Sequence, residues 1–517
     1  MQMFLQTPRN FQDLTGVCDL IVPGISRAVG IVCPRMVLID FVVRTLRGYG
    51  LFALVLGCWL LSLAGGWVFN DLLAWMAGLF YVAYDTWLLA FVAWRTRGLR
   101  AASPLVSQAP VPVTLGVLIS ARNEELMLPT CLRTLLSQTD VPDEIFIVDD
   151  GSTDNTRTLL QSEFSLLEQT DADGSLHSRG ERIQVFHRAN TGKARALNDG
   201  LQRMRADVVV TIDADTWLHP QALAALRQAF AHNPLLVAGC GVLRPRCAPG
   251  WQGRLFEWFQ TFEYLRAFLS RVAWMQSNAL LLVSGAFAGY RRSALLAVGG
   301  YHATSRVEDY ELIHRMHRHS HDQGLDWRVE VVSNAQAETD APANVPNFLR
   351  QRRRWFAGFL ETQLANHDMV GNPRYGMVGT LMLPIKTVDT LQPVFGLTAF
   401  VFLVYFLFAQ QPIFFLVLWV IAVKLGIDVL FHIWSVYLYH RWLGQRVAPS
   451  TWLRAVAAAF AEPFSFQLLR HLGAVSGWGV FLTKQTDWIP QRPATAPLSH
   501  HHAKIAPLPD SSLKDPP

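Results

Sequence analysis

The chain has 517 residues, of which 51% are hydrophobic and only 16% charged, and its mean hydropathy is positive. Soluble chains average about 25% charged residues, so the composition excludes an intrinsically disordered chain and argues against a purely soluble one. The net charge of +5 is small and spread along the chain, which implies no nucleic-acid footprint.

Taken in chain order, residues 1–48 mix apolar runs with Asp19, Arg27 and Arg35 and predict a segment on the membrane surface. Leu51 to Phe69 and Leu72 to Trp94 predict two transmembrane helices within residues 49–95, parted by Asn70-Asp71 and interrupted only by Asp85. No small-residue cleavage site follows the first, which argues against a removed signal peptide. Arg44 and Arg47 before the pair, and Arg95, Arg97 and Arg100 after it, put both flanks on the cytosolic side. Residues 104–368 hold no spanning run and read as a cytosolic domain. Residues 376–490 then predict an interfacial helix, Gly376 to Leu391, and spans at Val394 to Phe408 and Ile413 to Tyr439. Trp452 to Leu482, with Arg454, Glu462, Pro463 and Arg470, is either a further span or an amphipathic helix at the interface. Residues 491–517, rich in Pro, Ser and Ala, predict a disordered tail. Within the spans, Lys424 and Asp428 are four apart and predict a pair, whereas Asp85 shows no partner and is a candidate for a polar path. The cysteines form no CxxC pair, so neither a disulfide framework nor a zinc site is indicated.

In the cytosolic part, apolar strands are predicted at Val113 to Ser120, Glu144 to Val148, Ile183 to Phe186 and Val208 to Ile212, with helical patterns between them. That alternation argues for an α/β fold around a doubly wound, mostly parallel sheet, in which ligands bind beyond the carboxyl ends of the strands. Acidic clusters stand at two of those ends: Asp149-Asp150 and Asp213-Ala214-Asp215. Carboxylates there suit a hard divalent cation, although Asp-x-Asp is also a common surface turn. Lys193, after Asn190-Thr191-Gly192, is placed to reach a phosphate; the missing first glycine and Ala194 in place of Ser or Thr exclude a P-loop. Glu308-Asp309 opens a helix, either as a cap or as a base for a hydroxyl proton. Gln351-Arg352-Arg353-Arg354-Trp355 reads either as a cationic flank beside an interfacial tryptophan or as a diphosphate clamp with an aromatic sugar platform. His314, His317, His319 and His321 read as a polar helix face, with a metal site the lesser alternative.

The segments VLISARNEE, IVDDGSTDNT, NTGKARALNDG, TIDADTWLHP, SGAFAGYRRSALLAVGGY, RVEDYELIHRM and QRRRW occur in one order over about Val111 to Gly358. Together they resemble the processive family 2 β-glycosyltransferases, the hyaluronan, chitin-oligosaccharide, cellulose and poly-N-acetylglucosamine synthases. The resemblance implies a GT-A (Rossmann-like) cytosolic domain inserted between transmembrane helices of the inner (plasma) membrane. It implies a UDP-sugar donor, a growing polysaccharide acceptor, Mg²⁺ or Mn²⁺ as cofactor, and export past outer partners. Asp149, Asp150, Lys193, Asp213, Gln351 and Arg354 are then expected at the donor, and Asp213 and Asp215 at the metal. Ser284, Gly285, Glu308 and Trp355 are expected at the acceptor, and Asp309 as catalytic base. Val307 stands where the family commonly has threonine. The short tail cannot form the cyclic-dinucleotide-binding domain that bacterial cellulose synthases append, which sets poly-N-acetylglucosamine slightly ahead of cellulose as product. A non-processive transferase acting on a lipid acceptor is the alternative.

Overall fold

The computed structural model describes residues 34–69, 71–100, 112–170, 176–179 and 182–484. Of the surface segment expected at residues 1–48, residues 1–33 lie outside the described residues, as does the tail expected at 491–517; residues 34–48 are helical and run on into the first apolar helix.

A mixed sheet of ten strands forms the middle of the chain, in the order β3-β4-β5-β2-β1-β6-β9-β8-β10-β7. Its centre is β5 (Ile183–Arg188), β2 (Glu144–Asp150), β1 (Leu115–Ala121) and β6 (Val208–Asp213), all parallel. The run of Val, Ile and Leu in these strands is explained by burial on both faces. Leu115, Val117 and Ile119 enter the core shared with helices α3 (Leu128–Leu136) and α6 (Ala222–His232). Leu118 enters the opposite core, shared with α5 (Lys193–Arg203). The four strands expected from the sequence are this parallel centre. The flanks are mixed: β9 (Phe287–Arg291) is antiparallel to β6 and to β8 (Leu236–Arg246), β10 (Arg328–Asp340) is parallel to β8, and β7 (Thr216–Leu218) is antiparallel to β10. On the far edge, β3 (Leu167–Thr170) and β4 (Leu176–Arg179) add an antiparallel ribbon. A short helix α4 (Thr156–Glu163) follows β2.

Four helices among the described residues are long and apolar enough to cross a membrane: Gly48–Val68, Leu72–Thr96, Val378–Phe408 and Ile413–Trp442. The first belongs to α1 (Pro34–Val68); the second is a short 3₁₀ turn followed by α2 (Met76–Thr96); the third is a π turn leading into α11 (Leu383–Phe408); the fourth is α12. The stretch expected as a separate interfacial helix is therefore continuous with the third. Lys386 pairs with Asp389 at 2.8 Å, and Tyr84 donates to Asp389 at 2.6 Å, so the charges of this stretch are paired within the bundle. Asp85, expected without a partner, has one on another helix: Lys424 Nζ lies 2.7 Å from Asp85 Oδ2 and also pairs with Asp428. Residues 452–482 form α13 (Pro449–Ala461), a turn at Glu462–Phe464 and α14 (Phe466–Thr483), and neither helix meets the length and apolarity of a span.

The sheet and the apolar helices share a core through α7 (Trp251–Met275). Phe262, Phe268 and Leu269 of α7 pack with Val92 of α2 and with Val436, Tyr439 and Trp442 of α12. Helix α14 lies on α10 (Val345–Ala365), the helix that carries Gln351 to Trp355.

Candidate active site

Strand register brings the acidic clusters level. Ala121 of β1 pairs with Asp149 of β2, and Ser120 pairs with Asp213 of β6, so both clusters leave the sheet at one edge. Asp149 and Asp150 are buried, and their carboxylates are occupied by their own loops. Asp149 accepts the Ser152 amide at 2.9 Å and lies 3.0 Å from His187 Nδ1. Burial opposes charge there, but these bonds hold its carboxyl below the usual range. Asp150 accepts the amides of Thr191 and Gly192 at 2.9 and 2.8 Å. Both carboxylates, expected at the donor, are engaged in holding the loops beyond their strand.

Lys193 opens α5 directly after that ordered loop. Its Nζ lies 2.7 Å from Asp213 Oδ1 and 2.9 Å from Glu308 Oε1, joining the end of β6 to the start of α9 (Glu308–Asp322). Burial disfavours each charge, but the attraction holds Lys193 well above its ordinary value and Glu308 below its own. Glu308, expected with the acceptor residues, is thus engaged by the lysine expected at the diphosphate. The reason is local: adjacent residues in a helical turn point about 100° apart, so Glu308 and Asp309 face different neighbours.

Asp309 is half-buried and meets the Ser284-Gly285 segment. Gly285 donates its amide to Asp309 Oδ2 at 2.6 Å, and Tyr310 donates to Oδ1 at 2.8 Å. A Cβ at position 285 would sit 3.0 Å from that oxygen, so the approach favours glycine. Burial first, then the charge of Glu308, push the Asp309 carboxyl up to about 6, with Lys193 and the two amides opposing.

Helix α10 closes one side. Its Gly358 gives way to Val307, whose Cγ2 would lie 2.6 Å from a Cβ there, and Phe359 meets the Tyr310 ring at 4.9 Å. The arginines of the QRRRW segment diverge. Arg354 donates to Arg306 O at 3.1 Å and its charge helps hold Glu308 down, whereas Arg352 is buried against Glu263 at 2.8 Å. Trp355 is half-buried beside the core that includes Val307 and Tyr310. Gln351 is buried, and its Oε1 has no hydrogen-bond partner.

Residues 116–299 match the family described as Glycosyl transferase family 2, and residues 208–459 match Glycosyl transferase family group 2. The chain therefore carries a family 2 glycosyltransferase domain. It is similar to the poly-beta-1,6-N-acetyl-D-glucosamine synthases of Staphylococcus aureus (28% identical over 249 residues) and Staphylococcus epidermidis (27% over 252). Each match covers 48% of this chain and 55% of the relative, so the chain spans about half the length of the curated relatives it matches. In structure it resembles the mannosyltransferase PcManGT from Pyrobaculum calidifontis, solved in complex with GDP-Man and Mn²⁺. The TM-score is 0.50 at 19% identity, over 75% of this chain and 98% of that one. The sheet of this glycosyltransferase is accordingly the GT-A fold.

For a divalent cation, no group of three or more His, Cys, Asp or Glu converges among the described residues of the glycosyltransferase. Asp213 and Asp215 are two hard oxygen donors at a strand end, the donor set that Mg²⁺ takes when substrate phosphates complete its shell. The pair fits that role and would not form a closed all-protein site. The histidine run joins no such group either: a ring nitrogen of buried His314 lies 2.8 Å from Tyr310 O, and one of buried His317 lies 2.9 Å from Leu280 O.

Other residues of the glycosyltransferase site carried no signal of their own in the sequence. Asn198 accepts the Tyr301 amide and donates to its carbonyl, both at 2.7 Å, and so holds the loop that leads to Asp309. It lies in the NTGKARALNDG segment, but nothing in its spacing points to residue 301. His187 and Glu263, partners of Asp149 and Arg352, are equally silent without tertiary contacts.

Proposed function

We propose that this glycosyltransferase is a membrane-embedded, processive, inverting enzyme. It polymerises a β-linked polysaccharide from UDP-N-acetylglucosamine or UDP-glucose and passes the product across the plasma membrane to outer export partners. Residues 104–368 form its cytosolic catalytic domain, set between the two pairs of apolar helices. The observation that carries the reading is Asp309: a half-buried carboxylate fixed by two amides, with its pKa raised toward neutrality, beside a cationic lysine and the Asp213 strand end. The name shared by the staphylococcal relatives supports N-acetylglucosamine as the sugar.

In this reading, Asp309 takes the proton from a hydroxyl at the end of the growing chain. That oxygen attacks the anomeric carbon of the UDP-α-sugar from the opposite face. The bond to the diphosphate oxygen breaks with its electron pair, leaving a β-linkage and UDP. Lys193 turns from its carboxylate partners to the diphosphate, and Arg354 faces the same developing charge. Asp213 and Asp215 would hold Mg²⁺ or Mn²⁺, whose chemistry there is to neutralise charge on a departing diphosphate. Asp149 and Asp150 hold the uridine-side loops, Gln351 serves the donor with Arg354, and Ser284, Gly285 and Trp355 border the acceptor. The polar groups on the apolar helices, Tyr84 with Asp389 and Asp85 with Lys424, support a route for a hydrated product.

The test is a donor panel on purified protein in lipid, offering UDP-glucose, UDP-N-acetylglucosamine and UDP-glucuronate with Mg²⁺ or Mn²⁺ and sizing the products. High-molecular-weight material from one donor is expected. A single-sugar lipid product would replace the reading with the non-processive one. Asp309→Asn should retain UDP binding and lose turnover; continued polymer synthesis would remove Asp309 as the base.

A further inference from the structure

We infer that Glu263 and Arg352 form a positioning pair that sets the orientation of Trp355, and that the pair governs how many sugars are added before the chain is released. The inference rests on the proposed role of Trp355 at the acceptor.

Arg352 is one of the least accessible charged side chains of the glycosyltransferase, 6% exposed. It follows Phe348 by one helical turn and precedes Trp355 by nearly another, and its guanidinium lies over both rings, at 4.6 and 4.4 Å from their centroids. A planar cation between two rings is a stacking contact, which lysine does not reproduce. The plane is held from outside the helix: Glu263 Oε2 of α7 lies 2.8 Å from Arg352 Nη2. Glu263 is itself tied to Arg470 of α14 at 3.6 Å, Arg470 to Glu462 at 3.6 Å, and Glu462 to Arg266 of α7. Helix α14 also approaches α10 closely at two glycines. A Cβ at Gly473 would lie 2.6 Å from Arg352 Cβ, and one at Gly477 would lie 2.9 Å from Arg353 O. The roll of α10, and with it the tilt of the Trp355 indole, is therefore set by an ion-paired seam from the elements packed against the apolar helices. Trp355 keeps an accessible part, so the seam fixes a ring that still has a free surface to offer a sugar.

A ring that is present but poorly oriented should hold the acceptor less well between additions, while donor capture at Lys193 and Asp213 continues. The experiment compares Arg352→Lys, Glu263→Gln, Trp355→Ala and the Arg352→Lys/Trp355→Ala double variant in lipid, with product length, UDP release and donor KM measured in the same reactions. Arg352→Lys and Glu263→Gln should keep donor KM within about twofold, shorten the mean product by about threefold or more, and leave the double variant no shorter than Trp355→Ala alone. A role in stability alone would not produce that non-additivity. If Trp355→Ala shortens the product but the other two do not, the positioning inference falls and the acceptor reading stands. Unchanged product length in Trp355→Ala removes the acceptor reading and the inference with it. Failure of both Arg352→Lys and Glu263→Gln to elute as folded protein on size exclusion would make the pair structural and overturn the inference.

Discussion

At Asp309 burial and the negative charge of Glu308 act together to raise the carboxyl to about 6, against Lys193 and the amides of Gly285 and Tyr310. The base proposed here works when deprotonated, so turnover should fall as pH drops through about 6. Removing the like charge lowers that value: Glu308→Gln should shift the acid limb of the pH–rate profile downward, and a limb that stays or moves up would contradict the assignment. Gly285→Ala puts a methyl 3.0 Å from Asp309 Oδ2. It should reduce kcat by up to about 100-fold with donor KM little changed, because misplacing a reacting group costs rate before it costs binding. Asp309 itself was legible in the sequence as an acidic residue opening a helix. Its contact with the Gly285 amide was not, because Gly285 is 24 positions away and reaches it only through the fold.

Helix α10 is read easily as a helix, but its sequence does not tell which arginine faces the site. The three follow one another, so about 100° of rotation separates each from the next, and one is turned into the protein. Arg352 is that one, against α7 and α14. Gly473→Val should separate α14 from α10 and destabilise by about 1–3 kcal/mol, seen as a lower melting temperature in detergent; an unchanged melt would show that the seat is loose. Strands β8, β9 and β10 escaped the reading for a related reason. Gly239 and Gly241 in β8 have no side chain to mark a pattern, and both leave room for neighbouring side chains. The stretch expected as an interfacial helix, Gly376 to Leu391, instead runs on to Phe408, and the pairing of Lys386 with Asp389 makes both charges tolerable inside one continuous helix.

Across the whole molecule, α2 and α12 meet through Lys424 between Asp85 and Asp428. Lys424→Met leaves two carboxylates together without their cation and should cost about 3–5 kcal/mol, while adding Asp85→Asn should recover part of the melting temperature. No recovery would mean the carboxylates are hydrated independently of the lysine. What the sequence by itself determined is the class of the chain: runs of apolar residues long enough for spans, four buried parallel strands, and the ordered acidic and QRRRW segments. Each of these is written in neighbouring residues, where period and composition act directly. Only the tertiary structure decided that Glu308 holds Lys193, that Gly285 holds Asp309, that Asp85 has a partner, and that the last helix lies on the QRRRW helix. Those are contacts between distant positions, set by burial and charge pairing in three dimensions, and no local pattern encodes them.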